Sequence, residues 1–388
     1  MTDASDVVVV GGGHAGLLTA IALSDLGLSV RVVEPMPENA IREAPPDGRA
    51  LALLAGSIDH LTALGLWDDL APFGAPIRRV EVLDVGSSSK VAYRENDAPR
   101  TTPFGQGFEN RVLRRALLDL LLARTGRSVL LEDRITGIER QAAKIVVRTE
   151  QGRDLPAKLV IGADGRGSKL RTLARIGLQR WSYGHAALGL IVRHSTDNGG
   201  AVLERMRPGG PLATLPLRAD RTGITWVETT ERAQVLANGP PSVLLGELSD
   251  ALDGVLGEMQ LDGPVGMWPL SGQHAERYVA PRLALVGDAA HGVHPIHAQG
   301  FNMGVADVAA LVGLIRRNLS DPGSPDVLKA YERMRRGPNT RVIWLTDGLA
   351  RLFTNDLVPL ARARGAALTI LDRITPLRRL AIQRGMRT

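Results

Sequence analysis

The 388 residues predict an α/β protein: a Rossmann-like nucleotide-binding domain, a sheet-rich domain inserted into it, and C-terminal helices that close the chain. Three observations predict this. The N-terminus reads as strand, glycine turn, helix, strand. After residue 275 the chain returns to a buried strand, a glycine loop and an apolar helix. Between them lie strand-like segments separated by Gly, Pro and Asp turns.

Val7–Val10 is a short β-branched run of the buried-strand type, Leu17–Leu26 is an apolar helix, and Ser29–Glu34 is the next strand. That βαβ unit implies a parallel sheet. Ala50–Leu64 and Arg111–Ala123 have helical periodicity, and Lys158–Ile161 is a buried strand that runs into Gly162-Ala163-Asp164-Gly165. Strands are expected over Ala186–Val192, Ala201–Met206, Leu212–Leu217 and Gly223–Thr229. Leu283–Val286 is again a strand, Gly287-Asp288 a loop, and Gly300–Ile315 a helix, followed by two or three helices punctuated by Pro338, Pro359 and Pro376. The nucleotide-binding domain is thus discontinuous, over 1–75, 105–180 and 276–345; the sheet-rich substrate domain takes 76–104 and 181–275, and basic helices take 346–388.

Composition narrows the chemistry. No cysteine is present, which excludes disulfides, thiolate-bound metals, thiol nucleophiles and a thioether-tethered flavin. Redox chemistry must then come from a bound organic cofactor or a non-thiolate metal. The net charge of +6 sits in the tail, where Leu357–Thr388 carries seven arginines (Arg362, Arg364, Arg373, Arg378, Arg379, Arg384, Arg387) against Asp372. No uninterrupted apolar run reaches the roughly 18 residues of a membrane span, and the N-terminus lacks a positively charged leader, so a cytoplasmic protein is expected.

Gly11-Gly12-Gly13-His14-Ala15-Gly16 fits G-x-G-x-x-G between a strand and a helix. Gly11 permits the tight turn, Gly13 lets a pyrophosphate approach the backbone, and Gly16 lets helix pack on strand, with the phosphates on the helix N-terminus. Glu34 ends the second strand, where a carboxylate can bond both hydroxyls of an adenosine ribose and disfavours a 2′-phosphate. FAD or NAD therefore fits better than NADP.

Three further segments choose between them: Leu159–Gly165, Leu283–His291 and His294–Gly304. With the N-terminal fingerprint they resemble the class A flavoprotein aromatic hydroxylases, the group of para-hydroxybenzoate hydroxylase. Asp47–Leu53, Gly210–Leu217 and Thr346–Phe353 are, in addition, similar to the ubiquinone-biosynthesis hydroxylases, and the likeness covers nearly the whole chain.

The resemblance implies an FAD-binding domain of the para-hydroxybenzoate hydroxylase type, with FAD as cofactor, NAD(P)H as transient co-substrate and O2 as oxidant. The implied substrate is a polyprenyl phenol or related quinone precursor. Asp288 is implied to accept from a ribityl hydroxyl, while Gly300, Phe301 and Asn302 open a helix facing the flavin N1–C2=O edge. Pro295 lies beside the ring without giving a proton. Arg49 and Arg111 are candidates for the pyrophosphate, and Asp164-Gly165 for the site shared by FAD and the nicotinamide cofactor. The chain departs from the family where His297-Ala298 replaces the usual Ala-Gly and where His185 replaces a usual Gln; His185 either touches substrate or caps a strand. Leu215, Trp226 and Met267 are candidate substrate-lining residues, whereas Trp181 and Trp344 read as core. Two rival functions share the same motifs: a flavin hydroxylase of a natural-product or catabolic aromatic, and a non-catalytic flavin-binding subunit of a biosynthetic complex.

Other signals are set aside. Asp288, His291, His294 and His297 are spaced like metal ligands, but Pro295 breaks any shared helix face and no H-E-x-x-H occurs. The arginine-rich tail has few aromatics but leucines at helical spacing (Leu357, Leu360, Leu368, Leu371, Leu377, Leu380), which favours amphipathic helices over nucleic-acid binding. Their apolar face meets the protein's own core, a partner, or the inner face of a membrane.

Overall fold

The computed structural model describes residues 4–94, 97, 103–207, 209–353 and 358–385. Ser5–Val10 lies in the centre of the first sheet, parallel to Val30–Glu34 on one side and to Asp154–Gly162 on the other. Leu130–Glu132 and Leu283–Leu285 extend the parallel pairing outward. The helix His14–Ser24 is apolar all round, with every residue from Gly16 to Leu23 buried, because it is enclosed by the sheet and by the helices Asn110–Thr125 and Gln299–Ile315. The stretch Ile296–Ile315 is long and apolar enough to cross a membrane, but its Val305, Val308, Leu311, Val312 and Ile315 are core residues here.

The second sheet has nine strands and is mostly antiparallel. Leu178–His194 is its long central strand, paired with Arg221–Thr229 and Gly266–Ala275. Ala201–Arg207 pairs in parallel with Arg79–Asp84, so the 79–94 hairpin belongs to this sheet. One face packs on two helices, Thr230–Asn238 and Pro241–Ala251, which the sequence does not lead one to expect; the other packs on Ala52, Leu54 and Phe104.

Two expectations are corrected. Ala50–Leu64 is not one helix: Ala50–Leu54 is a strand paired with Gly105–Glu109, and the helix starts at Ala55. The strand is held from outside its own sequence, since Asn302 bonds both Leu54 N–H and the Ala52 carbonyl. Pro338 does not end a helix; it lies inside Pro325–Phe353, which also runs through the expected boundary at 346. Pro359 and Pro376, by contrast, stand in the first turns of Val358–Arg373 and Thr375–Gly385, where a missing N–H costs nothing.

The tail divides. Leu368 and Leu371 of Val358–Arg373 pack on Val82, Val91 and Ile296, so this helix belongs to the protein's own core. Ile374, Leu377 and Leu380 of the following segment are 40–44% exposed. Leu357 and Arg387 lie outside the described residues.

Candidate cofactor and substrate site

The glycine turn is built by close contact. Gly11 has φ +105°, and a Cβ there would lie 2.5 Å from the Ala163 carbonyl oxygen; one on Gly16 would lie 1.9 Å from that of Gly11. Gly13 faces open space, and no side chain caps the helix it begins. An uncapped helix start with room beside it suits a phosphate. Positive charge gathers there: burial, then the Arg114 and Arg49 guanidiniums, push the His14 imidazole down to about 4, against one raising bond to the Asn110 carbonyl and the nearby Asp47.

Glu34 is buried and accepts from Gly12 N–H at 2.6 Å and Met36 N–H at 3.0 Å, which fixes its carboxylate at the edge of the turn. Arg114, missed in the sequence, lies 3.5 Å from Glu34 and donates to the Gly12 carbonyl at 2.9 Å. Its signal was its place one turn after Arg111 on the same helix. Arg111 itself pairs with Glu109, which also holds Arg221 at 2.9 Å. Arg49 pairs with Asp47 at 2.6 Å and lies over the Trp268 ring.

Asp288 is exposed in the Gly287–Ala289 turn, and its carboxylate has no partner among the described residues. The turn is braced from behind. Gly287 N–H donates to Asp307 at 3.1 Å, Arg171 donates to the Ala289 carbonyl at 2.8 Å, and Gln273 donates to the Asp288 carbonyl at 2.8 Å. Asp307 is fully buried and also takes His291 at 2.6 Å, Arg335 at 2.8 Å and Asn339 at 3.0 Å. Burial alone would raise its carboxyl; His291 and Arg335 outweigh burial and hold it below the ordinary carboxylate range. Asp164 caps the following turn, accepting from Ser168 Oγ at 2.5 Å and Leu170 N–H at 3.0 Å, and Gly165 adopts φ +77°.

Pro295 is half-buried at the start of a short turn that leads into the helix Gln299–Ile315. Gly300 and Phe301 are half-buried in its first turn, with Phe301 edge-on to His14. Asn302 points inward, its side chain engaged by Leu54, Ala52 and the Ala298 carbonyl. The three spaced histidines diverge: His291 to Asp307, His294 edge-on to Tyr183, and His297 toward Glu204.

On the second sheet, side-chain alternation decides which residues face this site. Leu215 does, in a cluster with Ala52, Leu54, Val202, Tyr93 and Ala298. Trp226 does not. It is 0% exposed, donates to Glu228 at 2.9 Å, and packs with Leu212 and Leu188 against the two sheet-covering helices. Met267 stands opposite Leu188 on that same face, so its pocket role is corrected too. Its neighbour Trp268 takes the opposite side, its ring where a Cβ on Gly189 would lie, with Arg49 over it. His185 lies at the irregularity between Ser182 and Ala186, its ring bonded to the Tyr183 carbonyl at 2.7 Å. Trp181 and Trp344 stack on each other, and Trp344 is exposed rather than core.

Residues 4–345 match the family model described as FAD binding domain. The chain is 37% identical over 387 residues to the ubiquinone hydroxylase UbiL of Rhodospirillum rubrum, covering 99% of this chain and 90% of that protein. It is 32% identical over 385 residues to the 3-demethoxyubiquinol 3-hydroxylase of Escherichia coli, covering 98% and 97%. Among solved structures, p-nitrophenol 4-monooxygenase PnpA from Pseudomonas putida superposes with a TM-score of 0.82 at 18% identity, covering 99% of this chain and 98% of that one.

Proposed function

The chain belongs to the FAD-binding family of flavoprotein aromatic hydroxylases, and from that premise we propose that it hydroxylates a polyprenyl phenol or related quinone precursor in ubiquinone biosynthesis, using NAD(P)H and O2. The observation that carries the reading is the pairing of an uncapped, glycine-built helix start with Asp288, whose carboxylate has no partner among the described residues, two features that suit the adjoining pyrophosphate and ribityl parts of one flavin dinucleotide. Bound FAD supplies the redox chemistry, passing reducing equivalents from NAD(P)H to O2 with insertion of one oxygen atom into the ring and loss of the other as water.

The protein's part is binding, orientation and exclusion of water. Gly13 and the uncapped first turn of the helix it begins would offer backbone N–H groups to the pyrophosphate, in a turn shaped by the close packing of Gly11 and Gly16, and Arg49, Arg111 and Arg114 would supply the neutralising charge. Glu34, already fixed by Gly12 N–H, presents its remaining acceptor capacity to the ribose hydroxyls. Asp288, exposed in its turn, would accept from the ribityl chain. The first-turn N–H groups from Gly300 to Asn302 would stabilise negative charge on a bound flavin, and Pro295, which has no proton to donate, would border the ring. Asp164-Gly165 serves the approach of NAD(P)H. The apolar face of Leu215, Leu54, Val202 and Ala298 suits an apolar aromatic.

Exposed Ile374, Leu377 and Leu380 beside Arg373 and Arg379 support peripheral association with an anionic membrane, where such a substrate partitions. Mass spectrometry of quinones extracted from a host lacking this gene tests the function. Accumulation of one under-hydroxylated precursor, reversed by the gene, is the expected result; an unchanged quinone profile would refute the pathway and leave the alternative of another aromatic.

A further inference from the structure

The turn between Pro295 and the helix Gln299–Ile315 holds two successive non-glycine residues in the left-handed region, His297 at φ 60° and Ala298 at φ 52°. Left-handed backbone is unfavourable for residues with a Cβ, and such strain concentrates where a side chain must be aimed. Here it aims the His297 imidazole across to Glu204 of the strand Ala201–Arg207, with Nδ1 3.4 Å from Oε2. Glu204 is 8% exposed, and its Oε2 has no hydrogen-bond partner of normal geometry among the described residues. An otherwise unsatisfied buried carboxylate oxygen needs a reason.

Glu204 pairs with Ala213, two residues before Leu215 on the adjacent strand, so it stands on the sheet face that carries Leu215. Ala298, adjoining His297, packs in the same cluster as Leu215, Leu54, Val202 and Tyr93. The imidazole–carboxylate pair therefore lies at the rim of the apolar face where an aromatic substrate is placed, and His297 is 39% exposed.

We propose that His297, backed by Glu204, is the proton acceptor for the hydroxyl of a phenolic substrate. Nδ1 faces Glu204, which leaves Nε2 for the substrate. The substrate O–H bond breaks, an Nε2–H bond forms, and the oxygen keeps the electron pair, so the ring enters hydroxylation as the more electron-rich phenolate. Glu204 compensates the imidazolium, and the exposed side of His297 returns the proton to water. The proposal rests on the hydroxylase reading above.

The surroundings suit a base. Burial lowers the His297 pKa, but Glu204 outweighs burial and leaves it above the ordinary histidine value. Tyr93, on the neighbouring strand Ser89–Arg94, stays protonated because burial and then Glu204 push its phenol up, while Arg378 opposes and Asp372 adds to the rise. His294, on the same turn, is held neutral by burial, with a pKa of about 4.

The test uses FAD-loaded enzyme, a short-chain prenylphenol and the variants His297→Gln and Glu204→Gln. A nitrophenol bound to the oxidised enzyme reports ionisation by colour without turnover. In the wild type, bound nitrophenol should become phenolate at lower pH than when free, and prenylphenol hydroxylation should fall on the acid side of one ionisation. His297→Gln should abolish both and lower hydroxylation roughly 10²–10⁴-fold, with NAD(P)H oxidation uncoupled from product. Glu204→Gln should keep the acid limb but move it to lower pH. A His297→Gln enzyme that hydroxylates at the wild-type rate with the wild-type pH profile would overturn the proposal. Wild-type enzyme that hydroxylates no phenol would instead overturn the functional reading on which it rests.

Discussion

The carboxylate of Asp307 accepts from the backbone N–H of Gly287 at 3.1 Å, and this one bond ties the turn that carries Asp288 to a buried ion cluster. Arg335 and His291 meet the same carboxylate, and Asn339 bonds both Asp307 and Arg335. Gly287 has φ +57°, and a Cβ there would touch Ala15 of the first helix, so the turn is positioned between two helices and cannot drift without disturbing both.

Asp307→Asn should therefore act on stability and cofactor together. It leaves Arg335 as an uncompensated buried charge, a change that costs about 3–5 kcal/mol when one partner of a buried pair is lost. Urea unfolding of the apoprotein should show that loss, and FAD titration should show weakened binding through the released Gly287 turn. Wild-type unfolding with wild-type FAD affinity would mean that the cluster does not brace the turn.

Asp288→Ala should separate the two effects. Its carboxylate is exposed and without a partner among the described residues, so the apo fold should unfold at the wild-type midpoint while FAD is lost on gel filtration. Glu34→Ala should weaken FAD by roughly 1–3 kcal/mol, the range for losing charge-assisted hydrogen bonds. It should also cost some apo stability, because Gly12 N–H and Arg114 lose their partner. Equal apo stability of the two variants would argue against that structural share.

The sequence was most legible where short-range chemistry decides. The glycine turn, its strand and its helix follow from local pattern, and so do the alternating strands of the second sheet. Legibility failed where distant partners decide. Ala50–Leu54 has helical periodicity but is a strand because Gly105–Glu109 and Asn302 take its backbone groups. Pro338 is carried inside a helix whose Arg335 and Asn339 are held by Asp307. Trp226 and Met267, candidates for lining the substrate, face the other way, since residue type alone does not set the phase of a strand; Leu188 pairs with both and shares their helix-covered side. The His297–Glu204 pair joins residues far apart in the chain, and its only local sign is a histidine where the family resemblance implies an alanine.

Stability should fall below neutral pH for a specific reason. Burial, with neighbouring cations, lowers His14, His274 and His294 to about 4 from 6.5. The folded state thus refuses protons that the unfolded chain accepts. The stability tied to these groups is fully present above pH 6.5 and is lost as pH falls toward 4, with each histidine contributing a slope of up to about 1.4 kcal/mol per pH unit. His297, raised by Glu204 against burial, has the opposite sign and a different window: its contribution is fully present below pH 6.5 and is lost as pH rises above it, so it leaves the acid slope unchanged. Urea midpoints measured across this window should drop with acid, and His294→Gln should flatten the drop. A pH-independent midpoint between pH 6.5 and about 5 would contradict the assignment.

The last prediction concerns the tail. Ile374, Leu377 and Leu380 are exposed at helical spacing, with Arg373 and Arg379 exposed among them, while Leu368 and Leu371 anchor the preceding helix to the sheet. Deleting the tail would therefore remove core as well as surface, so the test must use substitutions. Arg378 is also unsuitable, because it pairs with Asp97 at 2.9 Å. Each arginine near an anionic bilayer contributes on the order of 1 kcal/mol, decaying within a Debye length of about 8 Å at physiological salt. Wild-type enzyme should sediment with phosphatidylglycerol vesicles but not with phosphatidylcholine vesicles, and less so as salt rises. Replacing Arg373 and Arg379 by Gln should weaken sedimentation by roughly tenfold or more, since about 2 kcal/mol is withdrawn. Replacing Leu377 and Leu380 by Ser should weaken it further while leaving the unfolding midpoint unchanged. Equal failure to bind both vesicle types at low salt would rule out direct bilayer contact and leave the exposed leucines to a protein partner.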